Sequence, residues 1–547
     1  MEGEHVRIIV IGAVAAGTSA AAKARRNNDA AEIVIYEKDL FISYAICGMP
    51  YFIGGEVEDI DELTPRDVEF FKKKHNIDVF IGHEVIDVDV DLKTVTVKNL
   101  TTQTIIVDKY DKLVFSTGAT VAKPNIEGLD KPNVFFLRTI ANAQDIKHYI
   151  KVNNPKNAIV VGSGFVGFEI MENLMHLGVD VTLLDAADKL TKNLDADMAK
   201  YLEKILLGKN VKVLTSQHIT QITDEGIKLA NNTTLATDMI IMATGVRPNV
   251  DLAKSVGIVI GEMGGIKVDR HMKTNIDDVY ACGDCIETFS RVTGGVVYQA
   301  MATVANKTGR IAGDNLTGGT SFYAGGLGTG IFKLFNYTIA STGINEAEAI
   351  SLGYDIQVCH NIKPNKPLYM DGKEMVIKAI ADKKFGRLLG VQIIGQDGVD
   401  KRIDVFATLI TYEAKVQEIF DIDLAYAPPF STTKDPVIYT GMILDNALNN
   451  ECPLIRADDI HKLGAEVQIV DVRSNSDYIN KGHVEGAINI PHAKLRDNLD
   501  KLNKDKPVVV YCNKGVTGNA AQNILINNGF KYVYNLSGGQ KFYKGTR

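Results

Sequence analysis

The sequence predicts an α/β protein of several domains, built on two parallel βαβ units with a further α/β segment at the C-terminal end. Three observations predict it. Glycine-rich turns, I-V-I-G-A-V-A-A-G at residues 9–17 and I-V-V-G-S-G-F-V-G at 159–167, each join an apolar strand to a helical run. A strand ending in Thr-Gly follows each of them, at 110–118 and 238–245. A fresh strand-and-turn pattern begins near residue 456, after A-L-N-N-E-C-P. At 547 residues the chain exceeds what one hydrophobic core organises. Its 45% hydrophobic and 23% charged content is that of an ordinary globular protein. Many Gly (48) and few Pro (14) suit tight βα turns.

The first unit reads as a strand over 7–12, an Ala-rich helix over 18–26 and a second strand, E-I-V-I-Y-E, ending at Glu37. Gly12 permits the tight turn and Gly17 lets helix and strand pack closely. Val14, followed by Ala15, stands where a middle glycine is usual. Glu37, with Lys38 beside it, has the spacing of an acid that accepts hydrogen bonds from a ribose. In the second unit Gly162, Gly164 and Gly167 fill all three glycine positions around Phe165 and Val166. Asp185 ends the strand expected over 179–184. An acid there favours a free ribose diol over a 2′-phosphate, so NADH is expected, with NADPH as the alternative. Two nucleotides held at once imply electron transfer between them.

V-Y-A-C-G-D-C, residues 279–285, places Asp284 where a carboxylate can accept hydrogen bonds from the ribityl chain of a flavin. Taken together, these motifs resemble the two-dinucleotide-binding-domain flavoproteins, the pyridine nucleotide–disulfide oxidoreductases, over residues 5 to about 445. The resemblance implies an FAD-binding domain (1–150 and 251–323) interrupted by an NAD(P)H-binding domain (151–250). An α+β dimerisation domain (324–446), a linker (447–455) and a last domain (456–547) would follow, in a homodimer. It adds Ser43, Val85, Thr117, Gly118, Gly245 and Ala302 to the cofactor-binding residues.

Cys47, in S-Y-A-I-C-G-M-P-Y, has Ile42 and Phe52 five residues to either side, so no C-x-x-x-x-C disulfide is available. A single thiol must then carry the redox work, and its pKa must fall below the ordinary value of about 8.5 for ready reaction. The pattern is similar to the one-cysteine branch: coenzyme A disulfide reductases, persulfide reductases, NADH oxidases and NADH peroxidases. A-K-A-R-R (22–26), G-V-D-K-R-I-D-V (398–405) and A-Y-A-P-P-F-S-T-T-K-D-P (425–436) resemble the coenzyme A enzymes. Ile46 departs from that pattern, where Asn is common. This resemblance implies coenzyme A phosphates on Arg26 and Lys23, with Ser43 as a further contact; separately, the basic run 72–74 offers Lys74 to a phosphate. The resemblance also implies Tyr426, with Tyr369 as a second such tyrosine, donating toward the partner subunit's Cys47. Cys282 and Cys285 straddle the flavin-binding Gly283-Asp284 and read as structural, as does His360; no metal site is expected.

Beyond 456, D-V-R at 471–473, Y-I-N-K-G-H-V-E-G-A-I-N-I-P at 478–491 and a strand running into Cys512 resemble a rhodanese domain. A cysteine between a strand and a helix N-terminus has its thiolate stabilised and can hold sulfane sulfur as a persulfide. The usual Arg five positions after the cysteine is Thr517 here, which weakens anion binding by the loop.

The resulting expectation is an FAD enzyme that uses NADH to reduce coenzyme A disulfide, or a persulfide or polysulfide of coenzyme A, through Cys47, with Cys512 handling sulfane sulfur. The alternatives are an NADH oxidase or peroxidase cycling through a sulfenic acid, or a redox-sensing or sulfur-delivery protein. A net charge of -7 argues against nucleic acid as partner. No apolar run is long enough for a membrane span. The start, M-E-G-E-H-V-R, has no leader pattern, and six scattered cysteines fit a reducing cytoplasm.

Overall fold

The computed structural model describes residues 6–449 and 451–547. Residues 1–5, read above for a leader, and residue 450, in the expected linker, lie outside the described residues. The chain divides into two compact units: Met1–Ala186 with Ser216–Gly326, and Ala187–Thr215 with Leu327–Arg547. No helix among the described residues is long and apolar enough to cross a membrane.

In the first unit the strand Arg7–Ile11 is the centre of a five-stranded parallel sheet. Glu32–Glu37 and Lys112–Phe115 flank it, with Asp78–Ile81 and Val279–Ala281 at the edges. Ile8, Ile9 and Val10 are fully buried, as strands covered on both faces require. A second parallel set runs Asp180–Leu184, Asn157–Val161, Met239–Met242, Val134–Phe136. Because Val279–Ala281 returns to the first sheet after the second is complete, one nucleotide-binding fold interrupts the other. The second set also takes Val134–Phe136, which the 150/151 boundary gives to the first domain. Three apolar residues are too few to show a strand period, so the sequence hides this strand.

The second unit carries a five-stranded antiparallel sheet ordered Gly330–Leu334, Tyr337–Gly343, Leu388–Gly395, Glu374–Asp382, Ile356–Pro364. The helix Pro436–Asn449 packs on its last strand. That helix runs three residues into the expected linker, and Leu454–Ile455 already pairs with Val533–Leu536, so little of 447–455 is free connection. A final parallel sheet follows, ordered Leu454–Ile455, Val533–Leu536, Val508–Tyr511, Gln468–Asp471, Ile488–Asn489.

Lys378 is buried in this unit and satisfied by three carboxylates, Asp195 (3.1 Å), Asp197 (2.8 Å) and Glu346 (2.7 Å). His360 is buried beside it; its Nε2 lies 2.8 Å from Asp197 and its Nδ1 2.9 Å from Ser537 Oγ. Burial alone would raise the Asp197 pKa, but His360 and Lys378 outweigh it and hold the carboxyl well below its usual range. The histidine is thus a core residue.

Candidate active site

The two glycine turns sit at the carboxyl ends of the parallel strands, where open α/β sheets bind ligands. They are built alike. The Ala13 N–H donates to Glu37 Oε2 (2.7 Å), and the Ser163 N–H donates to Asp185 Oδ2 (2.7 Å). Each acid therefore pins the turn it faces. A side chain at Gly17 would strike the Gly12 carbonyl, so glycine there is a packing requirement. Gly164 differs: a Cβ would meet nothing within 4 Å. The fold does not need glycine at that position, and the open side is where a pyrophosphate must approach backbone. The residues present thus fit a bound dinucleotide.

The strand ends following these units also match. Thr117 and Asn249 exchange hydrogen bonds (2.7 and 2.8 Å), Gly118 O accepts from the Asn249 N–H (2.9 Å), and Gly245 O accepts from the Ala122 N–H (2.9 Å). Asp284 Oδ2 accepts from Arg138 (2.8 Å). Phe165 and Val166 open the helix Phe165–His176, and Val14 and Ala15 stand at the start of Ala15–Asn27. Lys38 and Ala302 are exposed. Val85 is buried in the strand His83–Asp89 opposite Val97. Cys282 and Cys285 are free and buried, with Cys285 Sγ donating to the Cys282 carbonyl (3.2 Å).

Cys47 lies in a short turn, Ile46–Gly48, directly before the helix Met49–Gly54, with its side chain exposed on one side. The protein around it pushes the thiol pKa up, first by removing water from its other side and then through Glu169; Arg138 opposes this. The lowered thiol expected from the sequence is therefore not produced by the neighbouring side chains. Sequence reading also missed Glu169, two positions past Gly167. Burial, with Glu172 adding to it, pushes Glu169 up to about 7 against the opposing Tyr51 hydroxyl 3.5 Å away. At pH 8 this carboxylate is mostly ionised and disfavours a second negative charge on Cys47. Glu169→Gln should lower the thiol pKa and make Cys47 alkylate several-fold faster with iodoacetamide at pH 8. Equal rates would show that Glu169 does not set this sulfur's reactivity.

Lys23, Arg26 and Lys74 do converge. They line one cavity of about 350 Å³ together with Arg66, His75 and Arg310, which the sequence did not single out. Phe70 gives the cavity an aromatic face, flanked by Lys74 (5.1 Å) and Arg66 (5.6 Å). Asp314 takes part of the charge of Lys23 (3.0 Å). The positive field is strong enough that Arg26, Lys74 and Arg66 add to burial in holding His75 below its ordinary pKa. Polyvalent anions with a planar ring match such a cradle. Ser43 is not part of it; its N–H donates to Ala13 O (2.9 Å) beside the first glycine turn.

In the second unit Tyr369 and Tyr426 are solvent-exposed, 75% and 50% respectively. Cys512 follows the strand Val508–Tyr511, and the Gly515 N–H donates to its sulfur (3.2 Å) at the start of the helix Val516–Asn527. Thr517 lies in the first turn of that helix.

Comparison with known proteins agrees with this anatomy. The family described as pyridine nucleotide-disulphide oxidoreductase matches residues 6–307, its dimerisation domain 330–436, and a rhodanese-like domain 457–545. A Pyrococcus furiosus protein named NAD(P)H sulfur oxidoreductase (CoA-dependent) is 34% identical over 81% of this chain and 99% of its own. The structure of reduced Bacillus anthracis CoADR-RHD superposes with a TM-score of 0.97 at 35% identity, covering 100% of this chain and 99% of that one. An NAD-dependent persulfide reductase from A. fulgidus gives 0.91 at 36%, covering 98% and 100%. This family uses FAD and NAD(P)H. The chain belongs to the pyridine nucleotide-disulphide oxidoreductases, as a flavin-dependent, NAD(P)H-using enzyme with a rhodanese-like domain at its C-terminal end.

Proposed function

We propose that this enzyme uses NADH to reduce the sulfur of coenzyme A disulfide or coenzyme A persulfide, with the persulfide preferred, through Cys47 in a homodimer in the cytoplasm. The observation that carries the reading is the basic, aromatic-faced cavity of Lys23, Arg26 and Lys74, in the same unit as an unpaired Cys47. The names of the three relatives, all concerned with coenzyme A or sulfur, support it. The rhodanese-like domain favours the persulfide, because a disulfide substrate needs no sulfane carrier. Asp185, bound to its own turn by Ser163, favours NADH.

The FAD held by the Gly12 to Gly17 turn, Glu37 and Asp284 would supply an electron pair to the sulfur on Cys47. The chain's own residues do the rest. The basic cavity binds the nucleotide end of the coenzyme and leaves its thiol arm to reach Cys47. The Cys47 thiolate attacks the outer sulfur of the persulfide, the S–S bond breaks, and coenzyme A leaves as thiolate, giving a Cys47 persulfide. Two electrons then release hydrosulfide and restore the Cys47 thiolate. Tyr426, with Tyr369, donates a proton to the departing thiolate across the dimer. Cys512 exchanges sulfane sulfur with the coenzyme, and covalent linkage of the two domains raises its effective concentration.

NADH oxidation by the holoenzyme tests this. Coenzyme A persulfide under argon should sustain turnover at least tenfold faster than air alone. Arg26→Gln should raise KM for the coenzyme substrate about tenfold, a loss of about 1.4 kcal/mol of binding, with little change in kcat. Rapid turnover on oxygen that the sulfur substrate does not increase would make the protein an NADH oxidase instead.

A further inference from the structure

The loop after Cys512, Asn513-Lys514-Gly515, presents the Gly515 N–H to the sulfur at 3.2 Å. That N–H belongs to the peptide joining Lys514 to Gly515, and the chain turns there with Gly515 at φ +102°, a conformation open to glycine. Asn535, buried on the strand Val533–Leu536, fixes one side of the turn by donating from Nδ2 to the Gly515 carbonyl (3.0 Å). The helix Gly539–Gly545 fixes the start of the loop: the Gln540 and Lys541 N–H groups donate to the carbonyls of Cys512 (2.9 Å) and Asn513 (3.0 Å). The remaining side is held from outside the rhodanese-like domain. Glu374, the first residue of the dimerisation-domain strand Glu374–Asp382, pairs through Oε1 with Lys514 and through Oε2 with Lys541.

The structure assigns Glu374 as a positioning residue of the Cys512 site: one carboxylate ties the loop that aims an N–H at the sulfur to the helix that holds the loop's carbonyls. Sulfur handling by the C-terminal domain thereby depends on a side chain of the dimerisation domain. Both ion pairs are partly exposed, and an isolated pair of that kind contributes little. The weight of this one comes from its place between two cations on two elements. Without the carboxylate's charge, Lys514 and Lys541 face each other uncompensated, and their repulsion falls on the peptide that reaches Cys512. Burial alone would raise the Glu374 pKa, but the two lysines outweigh it and keep the group ionised. Cations are crowded here, since burial and then repulsion from Lys514 and Lys434 lower the pKa of Lys363.

The step that Glu374 serves balances without a further reactant. The Cys512 thiolate attacks the outer sulfur of coenzyme A persulfide, the S–S bond breaks, and its electron pair leaves on the coenzyme A thiolate, giving a Cys512 persulfide. No net oxidation of the protein–donor pair occurs. The Gly515 N–H steadies the attacking sulfur, so its aim bears on the rate of this step and not on affinity for the donor. The inference rests on Cys512 acting as a sulfur carrier, as proposed above.

The test uses the full-length holoenzyme and two readouts. One is the single-turnover rate at which coenzyme A persulfide adds sulfur to Cys512, followed by the mass of the Cys512 peptide. The other is amide hydrogen exchange in the peptide spanning 511–517. Glu374→Gln should lower the saturating loading rate about tenfold, leave the half-saturating donor concentration within about twofold, and speed exchange in 511–517 several-fold. Glu374→Asp, which keeps the charge, should restore most of both. Exchange in the strand Gln468–Asp471 should match wild type in both variants. Unchanged loading and exchange in Glu374→Gln would overturn the assignment, as would faster exchange throughout the domain, which marks general loosening. A raised half-saturating concentration at an unchanged saturating rate would also overturn it, by giving Lys514 a donor-binding role. A wild-type Cys512 that takes up no sulfur would overturn the carrier reading, while the exchange result still decides whether Glu374 positions the loop.

Discussion

Cys47→Ser is expected to abolish NADH-driven reduction of coenzyme A persulfide and disulfide, by a factor on the order of a thousand or more, as removal of a catalytic nucleophile does. NADH should still bleach the bound flavin at the normal rate. The separation follows from where the residue stands. Cys47 is in the turn before Met49–Gly54, whereas the nucleotide turns are held by Gly12, Gly162, Glu37 and Asp185. Serine keeps the shape of the turn and cannot form a persulfide. Stopped-flow absorbance of the reductive half-reaction, followed by a steady-state assay, reads the two steps apart. Persulfide reduction surviving in Cys47→Ser would remove this sulfur from the mechanism, and loss of flavin reduction would show that the substitution damaged the fold.

The second large effect is at Cys512. Cys512→Ser should lose sulfur transfer from any sulfane donor, on the order of a thousandfold, while NADH-driven reduction of coenzyme A disulfide stays within about twofold of wild type, because a disulfide gives up no sulfane sulfur. Cys512 is the cysteine whose sulfur accepts a backbone N–H at a helix start; Cys359 is sealed in the antiparallel sheet, with burial holding its thiol at about 12. Cyanide-dependent thiocyanate formation and NADH oxidation, measured on one preparation, check both halves. Undiminished thiocyanate formation by the serine variant would move the carrier role elsewhere.

The parts of the fold legible in the sequence are those in which the backbone dictates the residue. Gly12, Gly17, Gly162 and Gly167 are such positions, and Glu37 and Asp185 end the strands that face them. The strand running into Cys512 is legible only together with D-V-R at 471–473 and the stretch 478–491, which jointly carry the resemblance to a rhodanese domain. Lys23 and Arg26 are legible through family resemblance and Lys74 through the basic run 72–74, and the cavity brings them together. Arg66, His75 and Arg310 joined them unseen, because residues from three elements meet there with no shared spacing. Glu169 escaped for a different reason: an acid in the first turns of a helix is ordinary in sequence, and only burial beside Tyr51 and Cys47 gives it chemistry. The Val134–Phe136 strand was too short to display a period.

The late return of Val279–Ala281 to Lys112–Phe115 has a consequence for how the chain is made. Lys112–Phe115 leaves the ribosome with one side unpaired, and its partner is synthesised roughly 160 residues afterwards, or roughly 8–30 s at ordinary translation rates. Through that interval an apolar ribbon bears open amide and carbonyl groups able to recruit a neighbour's backbone. Slower elongation between those two segments lengthens the time for which that strand edge stays open.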